Sequence, residues 1–383
     1  MSVTEAQGFR ASGVAAGLKS SGAPDVAVVV NDGPSSVAAA VFTGNRCKAN
    51  PVLWSQEAIK AGSARAVAIN SGGANCYTGP EGFALTHATA ELVAESLDIG
   101  AIDVQVCSTG LIGLLNDRDD LLGGVRAAIG SLDAGGGPAA AEAIMTTDSV
   151  PKQAAAIRDG YTVGGMAKGA GMLAPALATM LVVITTDAVL EADEADAALR
   201  AATGTTFDRL DSDGCQSTND TVLLMASGAS GERPDQAAFA ELLREVCHDL
   251  ALQLLADAEG ADHEITIDVV NAASEGDAVE VGRSIARSNL FKCAIFGKDP
   301  NWGRVLASVG TTGAAFDPAN LDVALNDVWV CRNSGLGEPA TSVSLEERAV
   351  TVTVDLKAGD ARASIWTNDL THAYVHENSA YST

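Results

Sequence analysis

The chain has 383 residues, 47% apolar and 19% charged, a composition that excludes a disordered or collagen-like polymer and leaves room for two core-bearing units. With 24 Lys and Arg against 49 Asp and Glu the net charge is −25, a field that repels phosphate backbones and anionic lipid, so neither nucleic acid nor a membrane is an expected partner. Residues 1–12 carry no apolar run of the signal-peptide kind, and the longest apolar stretch, Met172 to Ile184, is too short to span a bilayer; a soluble, cytoplasmic protein is expected.

Between Asp25 and about Cys107, β-rich runs (Val26 to Asn31, Val37 to Thr43, Ala66 to Asn70, Val104 to Cys107) alternate with helical patterns (Asn50 to Ala61, Gly82 to Leu97). That alternation is an α/β signature. Ala- and Gly-rich helical stretches follow from Arg118 to about Ala143. Two alternating runs, Gln153 to Arg158 and Tyr161 to Ala167, then flank Asp159-Gly160, a strong hairpin signal. Met180 to Thr185 carries apolar residues on consecutive positions, as a strand buried on both faces does. From Pro234 to about Asp257 the spacing of Phe239, Leu242, Val246, Leu250 and Leu254 predicts an amphipathic helix. Residues from Asp322 to Trp366 are strand-rich, with Val350, Val352 and Val354 alternating, and the tail from His372 is polar. Neither repeats nor Pro-rich linkers mark a domain boundary.

Seven cysteines, odd in number and without a C-x-x-C, imply neither a disulfide framework nor a zinc site; they are expected to be reduced, buried small hydrophobes. The five histidines have no metal spacing, so no metal is expected. Gly169-Ala-Gly-Met-Leu-Ala174 matches a dinucleotide-binding pattern but fails on geometry, because Pro175 and a strand starting near Met180 leave no room for the helix that must follow the glycines. The same run, Lys168 to Leu181, suits another chemistry. A glycine turn and a proline lead to Ala178 and then Thr179 at the head of a buried strand; a Thr hydroxyl so placed can attack the preceding carbonyl, and hydrolysis of the ester frees an N-terminal Thr whose amine serves as its own base. On spacing alone, a Thr that simply begins a strand is the better reading.

Several long, order-preserving motifs decide between these readings: Asn70-Ser-Gly-Gly-Ala-Asn75, Ser108-Thr-Gly-Leu-Ile-Gly113, Ala143-Ile-Met-Thr-Thr-Asp148, Lys168 to Leu181, Ser217-Thr-Asn-Asp-Thr221, Asp299-Pro-Asn-Trp-Gly-Arg304 and Glu377-Asn-Ser-Ala-Tyr-Ser-Thr383. Through them the whole chain resembles the ornithine acetyltransferase family, the glutamate N-acetyltransferases of arginine biosynthesis, whose members cleave themselves at an Ala-Thr bond. One departure is Asp257-Ala-Glu-Gly-Ala-Asp-His263, where the family more often reads D-G-E-G-A-T-K; Glu259 is retained, while Ala258 and His263 differ.

The resemblance implies an α/β fold of layered sheets enclosed by helices, similar to N-terminal-nucleophile hydrolases, and cleavage between Ala178 and Thr179 into an α chain 1–178 and a β chain 179–383 that stay associated, as a heterotetramer of two of each. It further implies that Thr179 is the nucleophile, carrying acetyl from N2-acetylornithine to glutamate, and that Thr109 and Gly110 stabilise the oxyanion. Thr146, Lys168, Thr179, Glu259, Asn378 and Thr383 match substrate-contacting positions; Lys168 is a candidate for the α-carboxylate that both substrates share. No cofactor is implied, and whether acetyl-CoA also serves as an acetyl donor is left open by the sequence. The loops Asn70 to Asn75 and Asp299 to Arg304 receive no catalytic role, and Arg304 is expected in a structural ion pair. The rival readings are an amidase giving the acyl group to water, a nucleotide-dependent dehydrogenase and a non-catalytic binding protein.

Overall fold

Alternation along the early strands divides their side chains between two cores. In the computed structural model, which describes residues 1–172 and 180–380, strands β1 (Phe9–Val14), β2 (Val26–Asn31), β3 (Val37–Phe42), β4 (Ala66–Asn70), β5 (Val104–Ser108), β6 (Lys152–Arg158), β7 (Tyr161–Lys168), β8 (Leu181–Thr186) and β9 (Thr221–Ala226) belong to one compact unit. That unit comprises Met1–Asp208, outside the undescribed residues 173–179, together with Cys215–Asp257. Its strands form two sheets, of order β1-β2-β4-β5 and β3-β9-β8-β7-β6. Ala27 and Val29 of β2 face the second sheet and share a core with Met166, Leu181, Val183, Leu223 and Met225. Val26, Val28 and Val30 face the other way, onto the helices Gly79–Leu97 and Arg118–Gly130. The far side of the second sheet is covered by the helices Ala192–Thr205 and Gln236–Ala256. The unit is therefore layered helix, sheet, sheet, helix, and every residue of β2, β4, β5, β7, β8 and β9 is buried.

The second unit holds Arg209–Gly214 and residues 258 to 380. Its sheet comprises β10 (Glu264–Ala272), β11 (Asp322–Leu325), β12 (Val328–Arg332), β13 (Gly335–Leu336), β14 (Ala349–Asp355) and β15 (Ala361–Asn368), in the order β13-β12-β11-β14-β10-β15. Val350, Val352 and Val354 alternate as the sequence requires, and pair in register with Ile265, Ile267 and Val269 of parallel β10 to form the core under the helices Glu275–Ala286 and Trp302–Val309. The polar tail is a helix, His372–Ala380, whose start packs so closely on Gly260 that a Cβ there would lie 2.2 Å from the Tyr374 amide nitrogen.

Two expectations need correcting. Cys76, Cys107, Cys247 and Cys331 are buried free thiols, but Cys47, Cys215 and Cys293 are exposed, the first two on loops and the third on the outward face of a helix. Arg304 donates to the Leu290 carbonyl, at the start of the neighbouring helix, instead of meeting a carboxylate. Among the described residues no helix is long and apolar enough to cross a membrane, and no group of His, Cys, Asp or Glu could hold a metal ion.

The strand order bears on cleavage at residue 178. β8 and β9 occupy the interior of the second sheet, between β3 on one side and β7 and β6 on the other. A chain cut between Ala178 and Thr179, by its own action or through an engineered protease site, should run as two pieces under denaturing conditions and co-elute as one particle in native gel filtration. Separation in native buffer would contradict this pairing.

Candidate active site

Lys168 ends β7, whose neighbours pack in the two-sheet interior, and is 1% exposed. A buried ammonium must be hydrogen-bonded, and here Nζ donates to Thr146 Oγ1 at 2.7 Å and Thr109 Oγ1 at 3.1 Å. Thr109 follows β5 in the turn that brings Gly110 to φ +122°, and a Cβ on Gly110 would meet the Gly72 carbonyl at 2.5 Å, so glycine is required twice over. The Gly110 N–H makes no hydrogen bond within the described residues. Because Lys168 donates into the Thr109 oxygen, the hydroxyl hydrogen is left to point elsewhere. Thr109 Oγ–H and Gly110 N–H are thus suited to a developing oxyanion.

Behind this cluster lies a buried ionic network. Asp148 Oδ1 accepts from Lys152 Nζ at 2.6 Å and from the Gly169 N–H at 2.6 Å, while Oδ2 accepts from the Thr146 N–H at 3.0 Å. Lys152 also donates to Asp257 at 2.6 Å, at the end of the helix Gln236–Ala256. One carboxylate therefore fixes Thr146, the first glycine after Lys168 and the start of β6. Burial alone would raise the Asp148 carboxyl, but the charges of Lys168 and Lys152 and the hydrogen bonds from Lys152 and Thr146 outweigh it and hold the group at about 2.

Asn70, Asp148, Asn219 and Asp220 were assigned no role from sequence, although each lies in a quoted motif. Asn70 Oδ1 accepts from Ser108 Oγ at 2.5 Å and its carbonyl accepts from the Thr109 N–H at 2.9 Å, so the Asn70 to Asn75 loop buttresses the Thr109-Gly110 turn. Cys107, one residue before that turn, is an inert thiol, pushed up to about 12 by burial.

The sequence-derived residues divide into groups. Thr109, Gly110, Thr146 and Lys168 lie together in the larger unit. Glu259, which is buried, and Asn378, whose Nδ2 donates to the Tyr374 carbonyl at 3.0 Å, belong to the smaller unit, where the Tyr374 amide abuts Gly260 beside Glu259. His263, the departure from the family pattern, is also there, buried between the Asp369 carboxylate at 2.7 Å and the Leu345 carbonyl at 3.2 Å, a structural setting. Ala178, Thr179 and Thr383 lie outside the described residues.

Two sheets packed between helices, with a buried ammonium donating to a Thr-Gly turn at one sheet end, define a layered α/β fold. The ArgJ family model matches residues 10–383, and the chain belongs to that family. It is 63% identical, over the full length of both chains, to the arginine biosynthesis bifunctional protein ArgJ of Streptomyces coelicolor, and equally so to that of Thermobifida fusca. Among solved structures, the Mycobacterium tuberculosis ornithine acetyltransferase complexed with ornithine is 56% identical, covering 47% of this chain and 96% of its own, with a TM-score of 0.45.

The Asp148 network sets a pH dependence. A folded carboxyl held below its ordinary 3.8 contributes stability that is fully present above that value and lost as pH falls through about 2. Asp148→Asn should cost ~3–5 kcal/mol at neutral pH by leaving buried ammonium groups uncompensated. Urea unfolding followed across pH should also show a flatter acid limb between about pH 4 and 2 than the native chain's. Equal acid limbs would show that Asp148 is not the titrating group.

Proposed function

We propose that this chain moves the acetyl group of N2-acetyl-L-ornithine to L-glutamate, in arginine biosynthesis, through an acetyl ester on Thr179. What supports the reading is the Lys168, Thr109 and Thr146 cluster beside the glycine turn that leads to Thr179, in a chain belonging to the ArgJ family. After cleavage from Ala178, the Thr179 amine takes the hydroxyl proton as Oγ attacks the acetyl carbonyl; Thr109 and Gly110 receive the oxyanion. The tetrahedral intermediate collapses with the C–N bond breaking, and the amine returns the proton to the departing N2 of ornithine. The glutamate amine then attacks the ester and the steps reverse. Thr146, Lys168, Glu259, Asn378 and Thr383 hold the amino-acid parts of the two substrates. The reaction needs no cofactor. Acetyl-CoA serves as a second donor to glutamate, a reading supported by the word bifunctional in the names of the relatives. The cleaved pieces assemble as two α and two β chains in the cytoplasm.

Denatured mass should show two fragments, and incubation with acetylornithine alone should add one acetyl group to the peptide beginning at Thr179. Thr179→Ala should remain one uncut chain without activity. Two normal fragments from that variant, or acetate released with no acetylglutamate formed, would overturn the reading.

Thr109→Ala should lower kcat by roughly ten- to a thousandfold with the acetylornithine KM little changed, because an oxyanion donor acts on charge that develops in the transition state. Lys168→Met separates the two tasks open to its ammonium. A rise in KM for both substrates marks the shared α-carboxylate, whereas a fall in kcat alone marks polarisation of the threonine hydroxyls.

A further inference from the structure

Asn219 and Asp220 stand where the chain enters β9, and their side chains reach two different segments, the turn after β5 and the entry to β8. Asn219 Nδ2 donates to the Ser108 carbonyl at 2.8 Å and the Ala74 carbonyl at 2.6 Å. Ser108 O is the carbonyl of the peptide it shares with Thr109, so Asn219 holds the oxyanion turn on one side and the supporting Asn70 to Asn75 loop on the other. Asp220 Oδ1 accepts from the Met180 N–H at 3.1 Å, and the Met180 carbonyl accepts from the Thr221 N–H at 3.2 Å. The Met180 N–H belongs to the peptide shared with Thr179, and a peptide is planar. An acceptor fixed on that N–H therefore holds the entry to β8.

We propose that the adjacent pair Asn219 and Asp220 is a gauge that sets the spacing between the oxyanion turn and the nucleophile strand, each acting as a positioning residue through a backbone group. The two side chains are tied by a single peptide bond, and the Asp220 carbonyl is itself held by the Thr43 N–H at 3.0 Å on β3's exit. Both residues are buried, at 4% and 0% exposure, and neither has water to compete for its bonds. Asp220 lies well above the ordinary carboxylate range, through burial, against the opposing hydrogen bond from Met180 and the charge of Lys168. Asn matches it in shape and keeps the acceptor oxygen that receives the Met180 N–H.

The proposal rests on the acetyl-transfer reading, and its test is built to separate the two. In the full chain, Asn219→Ser removes both amide donors while leaving room for water; Asp220→Leu removes the acceptor, and Asp220→Asn keeps one. For matured enzyme counted by its acetylated Thr179, Asn219→Ser should lower kcat by about ten- to a hundredfold with both KM values within about threefold. Asp220→Asn should restore at least about tenfold of the kcat lost in Asp220→Leu. Amide hydrogen exchange at Met180 reads the clamp without any activity: it should quicken in Asp220→Leu and stay slow in Asp220→Asn. Native kcat in matured Asn219→Ser, or equal loss in both Asp220 variants, would overturn the gauge. If the unaltered chain fails to transfer acetyl while Met180 exchange follows this pattern, the functional reading fails and the clamp stands. Unchanged Met180 exchange in Asp220→Leu would sink the clamp in either case.

Discussion

A lysine ammonium at 1% exposure must find inside the protein every partner it leaves behind in water, and Lys168 does so with hydroxyls as well as charge. Hydroxyls compensate by hydrogen bonding while remaining able to donate in turn, which a carboxylate in the same place cannot do. The charge balance is held one step back, where Lys152 sits between Asp148 and Asp257. Two cations thus face two anions, while burial pushes the Asp220 carboxyl up against the pull of Lys168. A second ionised carboxylate nearer the turn would oppose any oxyanion formed there. Positive charge thus faces the Thr109 turn, and the ionised carboxylates lie behind it.

Such an arrangement needs a rigid frame, and the two-sheet sandwich supplies one. Lys168 and Leu181 pair at the same end of β7 and β8, and Leu181 pairs with Thr221 of parallel β9, so three segments of the site share a single register. β4 and β5 run parallel with Asn70 opposite Ser108, which brings the Asn70 loop and the Thr109-Gly110 turn to one sheet end. A slip of one residue in any of these ladders would turn the functional side chains to the opposite face.

Much of this frame was legible in the sequence. Val26–Asn31 and Ala66–Asn70 are found within the bounds that alternation predicts, and the Asp159-Gly160 turn joins β6 to β7. These features are local, set by side-chain period and turn chemistry. The helix predicted from Gly82 begins at Gly79, since Pro80 fits a first helical turn where no amide donor is needed. The short helices Asn289–Phe296 and Trp302–Val309 escaped notice because two turns offer too few periodic positions to stand out. Of the candidate site, the Thr109, Thr146 and Lys168 positions came from family motifs, not from spacing. Their supports did not emerge at all, because Lys152 meets Asp257 across 105 residues and Asn219 meets Ser108 across 111, separations that no local pattern records.

The interleaving of the second sheet has a kinetic consequence. Residues before 173 supply its two flanks, β3 on one side and β7 with β6 on the other, while residues after 179 supply the middle pair, β8 and β9. Completing the sheet places the parallel pair β8 and β9 between strands of the preceding segment, a step that is intramolecular while the chain is whole. Once the chain is cut, the same insertion is a collision between two molecules, each with an unfinished sheet and exposed strand edges. A chain cut between these two segments would therefore hold its form by the slowness of its unfolding more than by any route back.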